Sequence, residues 1–376
     1  MPTNFWNAVR VWVQPEAVAR NFSRLRPLGR ELVPVVKADA YGHGLLSVAR
    51  ALVGVGARRM AVGTVSEAVA LREALPEVWV MALLGPMDWQ DAAACQEYGV
   101  VPVVACAEQW DLVRLSAGPS RPLSIALKFD TGMARLGFSV DQASSIAQQV
   151  AVTPGVQVET VMSHLATADD PAAASFVAKQ GTRLQEIAHI LAQAGIHAPL
   201  SLANSAALIA HPQVHFHWQR PGIALYGANP LAGTPWQDRC PPLEPAMEVA
   251  APVLHVRQIS AGTTVSYGRT FTAPRPMRIA IVAVGYADAY CRGLSNRAFM
   301  VLGGRRVPVV GRVCMQMTAV DATEVPEVQV GDMAYLLGGP GSAAIRGEEL
   351  AAWWGTIPYE VFCLLGQNPQ SIRSRS

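Results

Sequence analysis

Lys37 has the setting of a reactive amine. It follows the apolar run 32–36 and is followed within seven residues by a tyrosine, a histidine and two glycines. A lysine that ends a buried strand loses solvation, which lowers the pKa of its amine and makes it nucleophilic. A lone lysine in that position is more often a surface residue. With these neighbours, whose glycines allow a ligand to approach the backbone, one use of Lys37 is a Schiff base with pyridoxal phosphate.

The sequence around Lys37 predicts alternating strands and helices that would position it. Up to about residue 230, short apolar runs alternate with longer amphipathic runs, which predicts a parallel sheet covered by helices. Eight such units indicate an α/β fold of the (β/α)8 TIM barrel type. An open doubly wound sheet is the alternative, but residues 38–42 are not the glycine-rich loop that it requires. We predict strands at 33–37, 60–63, 78–84, 100–104, 123–129, 156–163, 200–203 and 223–226, and helices at 45–53, 66–74, 88–98, 141–150 and 172–194.

Polar residues recur where these predicted strands end. Barrel enzymes carry their catalytic groups at the C-terminal ends of the strands. Each residue alone is weak evidence, and a histidine after a strand is more often an ordinary loop residue. Their recurrence at five strand ends predicts a catalytic rim. The residues are Lys37, Lys128, Asp130, Arg135, Ser163, His164, Asn204, Ser205 and Arg220.

The sequence changes character after the barrel region. Five prolines between positions 230 and 245 mark a linker. Short strand-like runs separated by glycine turns follow, and the glycines at 338–341 are typical of a hairpin rather than a nucleotide loop. We therefore predict a barrel over residues 1–235 and a mostly β C-terminal domain over 236–376. Its predicted strands are 253–259, 277–284, 306–309 and 317–320, and its predicted helices lie around 348–354 and 359–365.

Composition excludes several classes of partner. The 376 residues carry a net charge of +2 with no basic run beyond short pairs, so no nucleic-acid partner is expected. No apolar run approaches a membrane span, and no signal peptide is visible. The six cysteines contain no Cys-x-x-Cys and are typical of thiols in a reducing compartment. These features predict a cytoplasmic protein with no membrane partner.

Nine segments resemble the alanine racemases, a family of fold-type III pyridoxal-phosphate enzymes. They follow the family's order across nearly the whole chain. The segments are VVKADAYGHG (35–44), LKFDTGMARLG (127–137), MSHLATAD (162–169), ANSA (203–206), RPGIALYG (220–227), VSYGRTF (265–271), VGYAD (284–288), GRVCM (311–315) and PYE (358–360).

The resemblance implies an isomerase that interconverts L- and D-alanine with two bases. Lys37 would hold the cofactor and serve one face of the substrate Cα, and Tyr267 would serve the other face. Two bases suit the reaction, because one side chain cannot easily reach both faces. A phenol with a pKa near 10 needs neighbours that ease its ionisation, and the resemblance implies that His164, bonded to Arg220, acts on Tyr267. The product would supply peptidoglycan.

The resemblance also implies the remaining contacts. Arg220 would face the pyridine nitrogen of pyridoxal phosphate and leave it unprotonated, which favours proton return over transamination or decarboxylation. Arg135 and the Met315 amide would bind the substrate carboxylate. Lys128 matches a lysine that is carbamylated in many relatives, although a plain lysine or a bound chloride could serve instead. The other cofactor-binding residues would be Tyr41, His164, Asn204, Ser205, Gly222, Ile223 and Tyr359.

In the family, Tyr267, Tyr286 and Met315 reach the active site of the partner subunit. The resemblance therefore implies a head-to-tail homodimer with two shared active sites. Four residues would line the entrance to each site. They are Asp169, Tyr286, Arg292 and Arg312.

The chain departs from the family at two places. Gln316 stands where an acidic residue is usual, which leaves a racemase of serine or of broader preference open. Residues 217–219 contain no aspartate ahead of Arg220. Two other readings are a pyridoxal-phosphate binding protein, whose relatives lack a β domain, and a decarboxylase, against which Arg220 argues. Three histidines between 211 and 217 have no acidic or cysteine partner at ligand spacing, so no metal site is expected.

Overall fold

The computed structural model describes residues 8–373 and separates into two units. The barrel unit comprises residues 18–40 and 45–243. The C-terminal unit comprises the described residues up to Ala17, residues 41–44 and the chain from Glu244 onward. The short segment 41–44 thus belongs to a different unit from Lys37, which lies just before it.

Eight parallel strands form the barrel unit, in the order in which they follow one another except at the seam. The first pairs with the eighth, and the ring is completed where Val35 bridges Ala61 and the Val36 amide donates to the Ala61 carbonyl over 2.8 Å. This confirms the predicted barrel. The strands are Glu31–Leu32, Arg59–Val62, Trp79–Ala82, Val101–Val104, Leu123–Lys128, Val156–Met162, Leu200–Ser201 and Trp218–Gln219.

Helices separate these strands along the chain. Five of them match the predicted helices to within two residues at each end. The chain also forms helices Pro15–Leu25, Ala107–Ser116 and Ser205–Ala210, which were not predicted. No helix among residues 8–373 is both long and apolar enough to cross a membrane. The matching helices are Leu45–Gly54, Val65–Ala74, Trp89–Tyr98, Ala143–Val152 and Ala174–Gln193.

Two of the predicted strands are wrong in detail. Residues Ile223–Tyr226 form a buried 3-10 turn, and the eighth strand is Trp218–Gln219 instead. A short apolar run does not distinguish a buried strand from a buried helical turn. The predicted strand 33–37 also ends early, because Lys37 already begins the helical turn Lys37–Gly42.

The N-terminal ends of the barrel strands carry a stacked cation. The Arg59 guanidinium lies 5.0 Å from the ring centroid of Trp218 and 6.0 Å from that of Trp79. The two indoles meet edge to face at 5.3 Å, and the Glu31 carboxylate accepts a hydrogen bond from Arg59. All four residues begin their strands. This cluster therefore stabilises the barrel at the end opposite to the predicted catalytic rim.

The C-terminal unit is mostly β, as predicted. The long strand Met247–Ile259 pairs antiparallel with three others, including Arg10–Val13 from the start of the chain. Two helices, Gly347–Trp354 and Pro358–Leu365, follow the last long strand. The remaining strands are Thr264–Val265, Phe271–Thr272, Met277–Val282, Phe299–Leu302, Arg305–Pro308, Thr318–Asp321, Met333–Leu337 and Gln370–Ile372.

Candidate active site

The backbone that follows Lys37 is left-handed. Residues 38–41 have φ angles between 52° and 56°, and Gly42 continues the run with a φ of 74°. Only Gly42 adopts this region without steric cost, and for the other residues the cost is about 1–2 kcal/mol each. Such a turn persists only when its surroundings hold it. The sequence did not predict it, because alanines ordinarily favour the right-handed helix.

Glu67 supplies part of that support. Its carboxylate accepts hydrogen bonds from the amides of Gly63 (2.7 Å), Thr64 (3.2 Å) and Asp39 (3.2 Å). Asp39 in turn accepts a hydrogen bond from the Leu45 amide over 2.7 Å. The bond from Thr64 is part of an ordinary capping box at the start of helix Val65–Ala74. The bond from Asp39 reaches the left-handed turn, so one carboxylate connects the cap to the backbone beside Lys37.

Within the C-terminal unit, the structure brings Tyr41 and Tyr359 together. Their ring centroids are 5.8 Å apart. Burial, with the neighbouring Tyr359 and Cys363, raises the pKa of the Tyr41 phenol well above its usual value. The glycine beside it is required, since a Cβ on Gly42 would lie 2.6 Å from the carbonyl oxygen of Phe362. The Tyr41 phenol therefore keeps its proton, and its hydroxyl can donate a hydrogen bond to a phosphate.

Cationic side chains gather at the C-terminal ends of the barrel strands. Burial, together with Arg220, Arg135 and Lys37, lowers the pKa of Lys128 to about 8. Burial and the same cations hold the pKa of His164 well below its usual value, so this imidazole is neutral at neutral pH. A cluster of these cations, in which Lys128 and Arg220 are buried, attracts an anion.

Arg220 is anchored by neutral acceptors. It is buried, and burial lowers its pKa to about 10. Its guanidinium donates to the Ser163 carbonyl over 2.6 Å and to the Ser201 hydroxyl. A longer bond of 3.5 Å reaches the Leu202 carbonyl. The expected hydrogen bond between Arg220 and His164 is not among the hydrogen bonds of residues 8–373, in which the guanidinium bonds to these three acceptors.

The loop that carries Arg135 is organised by Asp130. Its carboxylate accepts hydrogen bonds from the amides of Gly132 (2.7 Å), Met133 (2.8 Å) and Arg135 (3.0 Å). Burial alone would raise the pKa of Asp130, but these amides outweigh it and hold that pKa below its usual value. The Asp130 amide also donates to the Phe138 carbonyl over 2.9 Å, which closes the loop. Arg135 is thus held on a fixed backbone.

A pocket lies beside this loop and brings several predicted site residues together. It is lined by Lys128, Phe129, Asp130, Met133, Arg135, Leu136, Ser163 and His164.

Gln180 is a supporting residue that sequence reasoning missed. It is fully buried in helix Ala174–Gln193. Its amide nitrogen donates to the His164 carbonyl over 3.0 Å, and its amide oxygen accepts from the Ala166 amide over 3.1 Å. A polar residue on the apolar face of an amphipathic helix was the available signal.

Asn204 and Ser205 begin the short helix Ser205–Ala210. Asn204 caps the helix by accepting from the Ala207 amide over 3.0 Å. The Ser205 hydroxyl accepts from the Gly222 amide over 2.8 Å. The hydrogen bonds found within residues 8–373 include none from the amide of Ile223, although that residue is buried. The Ile223 amide and the Ser205 hydroxyl, which still has its own proton to donate, are therefore neutral donors suited to an anion, whereas the Gly222 amide beside them is already bonded to Ser205.

The histidines between 211 and 217 all bond to the main chain. His211 contacts the Ala168 carbonyl, and His215 contacts the carbonyls of Ala207 and Leu208. The Nδ1 atom of His217 accepts from a backbone amide over 3.0 Å. These side chains bond to a loop, a helix and a strand of the barrel unit.

Three predicted site residues of the C-terminal unit project into solvent. Tyr267 is 72% exposed, Tyr286 45% and Met315 57%. The Tyr286 amide donates to the carbonyl of Cys314 over 3.0 Å, and a Cβ on Gly285 would lie 2.1 Å from that oxygen. Because position 285 is glycine, the segments that carry Tyr286 and Met315 can lie backbone against backbone.

Comparison with known proteins covers almost the whole chain. Residues 13–230 match the family model described as alanine racemase, N-terminal domain, and residues 246–373 match the one described as alanine racemase, C-terminal domain. A curated alanine racemase from Nitratidesulfovibrio vulgaris strain Miyazaki F is 52% identical over 98% of this chain and 99% of its own length.

Solved structures show the same similarity. Alanine racemase from Streptomyces lavendulae has a TM-score of 0.90 and 31% identity over 98% of each chain. Alanine racemase from Bartonella henselae with covalently bound pyridoxal phosphate has a TM-score of 0.84 and 29% identity, over 98% of this chain and all of that one.

Proposed function

Because this chain belongs to the alanine racemase family, we propose that it interconverts L-alanine and D-alanine by removing the Cα proton on one face and returning a proton on the other. The observation that carries the proposal is the cationic cluster at the C-terminal ends of the barrel strands. It combines a nucleophile, Lys37, with groups for anion binding, Lys128, Arg135 and Arg220.

The residues present fit pyridoxal phosphate, on which this family depends. The Ser205 hydroxyl and the Ile223 amide, which makes no hydrogen bond within the described residues, supply neutral donors for its phosphate. The Gly222 amide would join them by exchanging the Ser205 oxygen for a phosphate oxygen. When bound, the cofactor supplies an aldehyde for a lysine and a conjugated ring that withdraws electrons from the substrate Cα. The residues that would hold it are Lys37, Tyr41, His164, Asn204, Ser205, Arg220, Gly222, Ile223 and Tyr359.

Lys37 acts as one base. The left-handed turn after it and the bond from Asp39 to Glu67 restrict the backbone from which its side chain extends. A restricted starting point keeps the amine near one face of the substrate Cα.

Tyr267 of the partner subunit acts as the second base in a homodimer with shared active sites. Its 72% exposure supports this role, because a phenol that serves another subunit must project beyond its own fold. Exposed Tyr286 and Met315 accompany it. Large exposed apolar side chains that lie together are typical of a protein interface. Met315 would meet the substrate carboxylate through its backbone amide.

Arg220 directs the reaction toward racemisation. Its pKa remains near 10 after burial, so the guanidinium keeps its proton at neutral pH. Three neutral acceptors in the barrel fix its plane. An arginine that faces the pyridine nitrogen would leave that nitrogen unprotonated and limit electron withdrawal into the ring. The proton is then returned to Cα before a competing reaction begins.

Arg135 binds the substrate carboxylate, and its fixed loop supports a defined position for that anion. Lys128 lies in the same pocket. With a pKa of about 8, a fraction of its amine is neutral at physiological pH, which is the form that reacts with carbon dioxide to give a carbamate. A carbamate or a bound chloride would each neutralise the cations around Arg135.

Gln316 favours a second candidate, a racemase that also accepts serine. An amide at this position removes a negative charge that the family usually has. We propose D-alanine supply for peptidoglycan as the cellular role, in a reducing cytoplasm. The six cysteines, all within the described residues, are reduced thiols, which supports that compartment.

The test is the circular dichroism of L-alanine incubated with the purified protein and pyridoxal phosphate. We expect decay of the signal to zero, with the mirror-image decay from D-alanine. The chain has three lysines, so borohydride trapping followed by peptide mapping should label Lys37 rather than Lys128 or Lys179. Lys37→Ala should abolish both activity and labelling, whereas Lys179→Ala, at an exposed position, should retain them. Full activity in Lys37→Ala would refute the proposal.

A further inference from the structure

Ser266 has a backbone conformation that is almost restricted to glycine. Its φ is 64° and its ψ is −175°. For a residue with a Cβ this region costs free energy, and it persists only when the surrounding structure holds it. Such residues cluster at functional sites. Ser266 immediately precedes Tyr267.

Two contacts hold Ser266 in this conformation. Its hydroxyl donates to the Arg312 carbonyl over 2.8 Å and lies 3.4 Å from the sulfur of Cys314. The approach is possible because position 311 is glycine. A Cβ on Gly311 would lie 2.9 Å from the Ser266 Cβ and 2.8 Å from the carbonyl oxygen of Val265. The segment 311–314 therefore forms a close-fitting support for Ser266.

Ser266 lies at the tip of a two-stranded hairpin made by Thr264–Val265 and Phe271–Thr272. The tip continues in the left-handed region at Gly268 and Arg269, with φ angles of 72° and 52°. The exposed ring of Tyr267 gains little from packing. Its direction is consequently determined by the backbone of the tip, and the bond from the Ser266 hydroxyl to the Arg312 carbonyl restrains that backbone immediately before Tyr267.

We propose that Ser266 is a positioning residue that aims the Tyr267 phenol and couples it to the segment 311–315. This inference rests on the proposed role of Tyr267 as the second base. The supporting segment 311–314 is followed directly by Met315, whose amide is proposed to bind the substrate carboxylate. Through the bond from Ser266 to Arg312, the second base and the carboxylate site share one support.

The test measures exchange of the Cα hydrogen with D2O for each alanine enantiomer separately. Enantiomers have equal free energies, so kcat/KM must fall equally in both directions, and only exchange distinguishes the two bases. Ser266→Ala keeps the Cβ and loses the hydroxyl. We expect about tenfold slower exchange, the effect of one lost hydrogen bond, for the enantiomer whose hydrogen faces Tyr267. Exchange of the other enantiomer, served by Lys37, should stay within about twofold of wild type.

Two further variants distinguish positioning of Tyr267 by Ser266 from a general loosening of the hairpin. Thr264→Ala removes the acceptor of the 3.2 Å bond from Arg269 and loosens the same hairpin without touching Ser266. It should slow exchange less than Ser266→Ala does. In a Tyr267→Phe background, Ser266→Ala should cause no further loss, because the residue it positions is already disabled.

Equal slowing of both enantiomers by Ser266→Ala, or wild-type exchange in that variant, would overturn the positioning role while leaving the proposed function intact. If Tyr267→Phe alone exchanges both enantiomers like wild type, the second-base assignment fails and the positioning role of Ser266 falls with it.

Discussion

The backbone amide of Asp39 donates a 3.2 Å hydrogen bond to the carboxylate of Glu67, a residue of the helix Val65–Ala74. Asp39 lies within the left-handed turn that follows Lys37. The same carboxylate accepts bonds from Gly63 and Thr64 at the end of the neighbouring barrel strand. A single side chain thus joins a stable cap to a strained turn, and its loss should affect the reactive lysine as well as the helix.

Glu67→Gln should therefore reduce activity. The amide keeps the size of the side chain but halves the number of accepting oxygens and removes the charge that strengthens each bond. We expect kcat to fall by roughly tenfold, with slower borohydride trapping of the cofactor at Lys37. The matched control is Thr64→Ala, which removes the other half of the capping box. It should cost about 1 kcal/mol of stability and leave kcat unchanged. Equal kcat values in the two variants would exclude a role for Glu67 beyond capping.

Tyr267→Phe should distinguish proton transfer on one face of the substrate Cα from proton transfer on the other. Removing the phenol hydroxyl eliminates proton transfer on one face, so racemisation should fall by at least about a thousandfold, within the range for loss of a general acid–base group. Exchange of the Cα hydrogen with D2O should continue for the enantiomer that Lys37 serves and stop for the other. NMR of each enantiomer in D2O measures this directly. Tyr98→Phe, on a partly exposed tyrosine of helix Trp89–Tyr98 that lies outside the proposed site, is the comparison and should retain exchange for both.

Lys128 should make the stability of the protein depend on pH. Burial and nearby cations lower its pKa from 10.5 to about 8. As the pH falls, the unfolded chain binds the proton near 10.5, whereas the folded chain binds it only near 8. Between these values the unfolded state holds more protons, so the free energy of unfolding decreases as the pH falls. The loss of stability caused by Lys128 is complete below a pH of about 8.

Lys128→Met should remove this dependence and raise the stability at neutral pH by up to a few kcal/mol. Urea unfolding of wild type and variant on both sides of the window measures the difference, with the exposed Lys179→Met as the control. A wild-type chain that shows no such slope, and whose intact mass includes an added carbon dioxide, would instead indicate a carbamylated Lys128.

The stacked cation at the base of the barrel should contribute to stability and not to activity. Arg59→Met removes the charge between Trp79 and Trp218 and leaves Glu31 without this partner. We expect a loss of about 1–2 kcal/mol in urea unfolding with kcat unchanged, because these residues begin their strands. Arg58→Met, one residue away and exposed, should have little effect. A reduced kcat in Arg59→Met would contradict the assignment to the structural end of the barrel.

The barrel could be predicted because each of its strands and helices has a pattern within a short stretch of sequence. Runs of Val, Ile and Leu form the buried strands, and amphipathic helices lie between them. The eighth strand was wrong because Ile223–Tyr226 is equally apolar on a buried turn. The strand Arg10–Val13 could not be seen, since its partner Met247–Ile259 lies more than 230 residues away. The candidate site residues were predicted from their places at strand ends and from family motifs. Glu67, Gln180 and Ser266 were not predicted, although Ser266 lies within the segment 265–271, because each acts through contacts that only the folded chain creates.

The pairing of Arg10–Val13 has a consequence for biosynthesis. Its partners are Met247–Ile259 and Gln370–Ile372, near the end of the chain. The strand Arg10–Val13 therefore leaves the ribosome long before either partner, while residues 18–40 and 45–243 can already assemble their own parallel sheet. Domains generally fold as units during synthesis. A nascent chain stalled before residue 247 should thus carry Arg10–Val13 without its two partner strands, and an unpaired strand edge is open to aggregation.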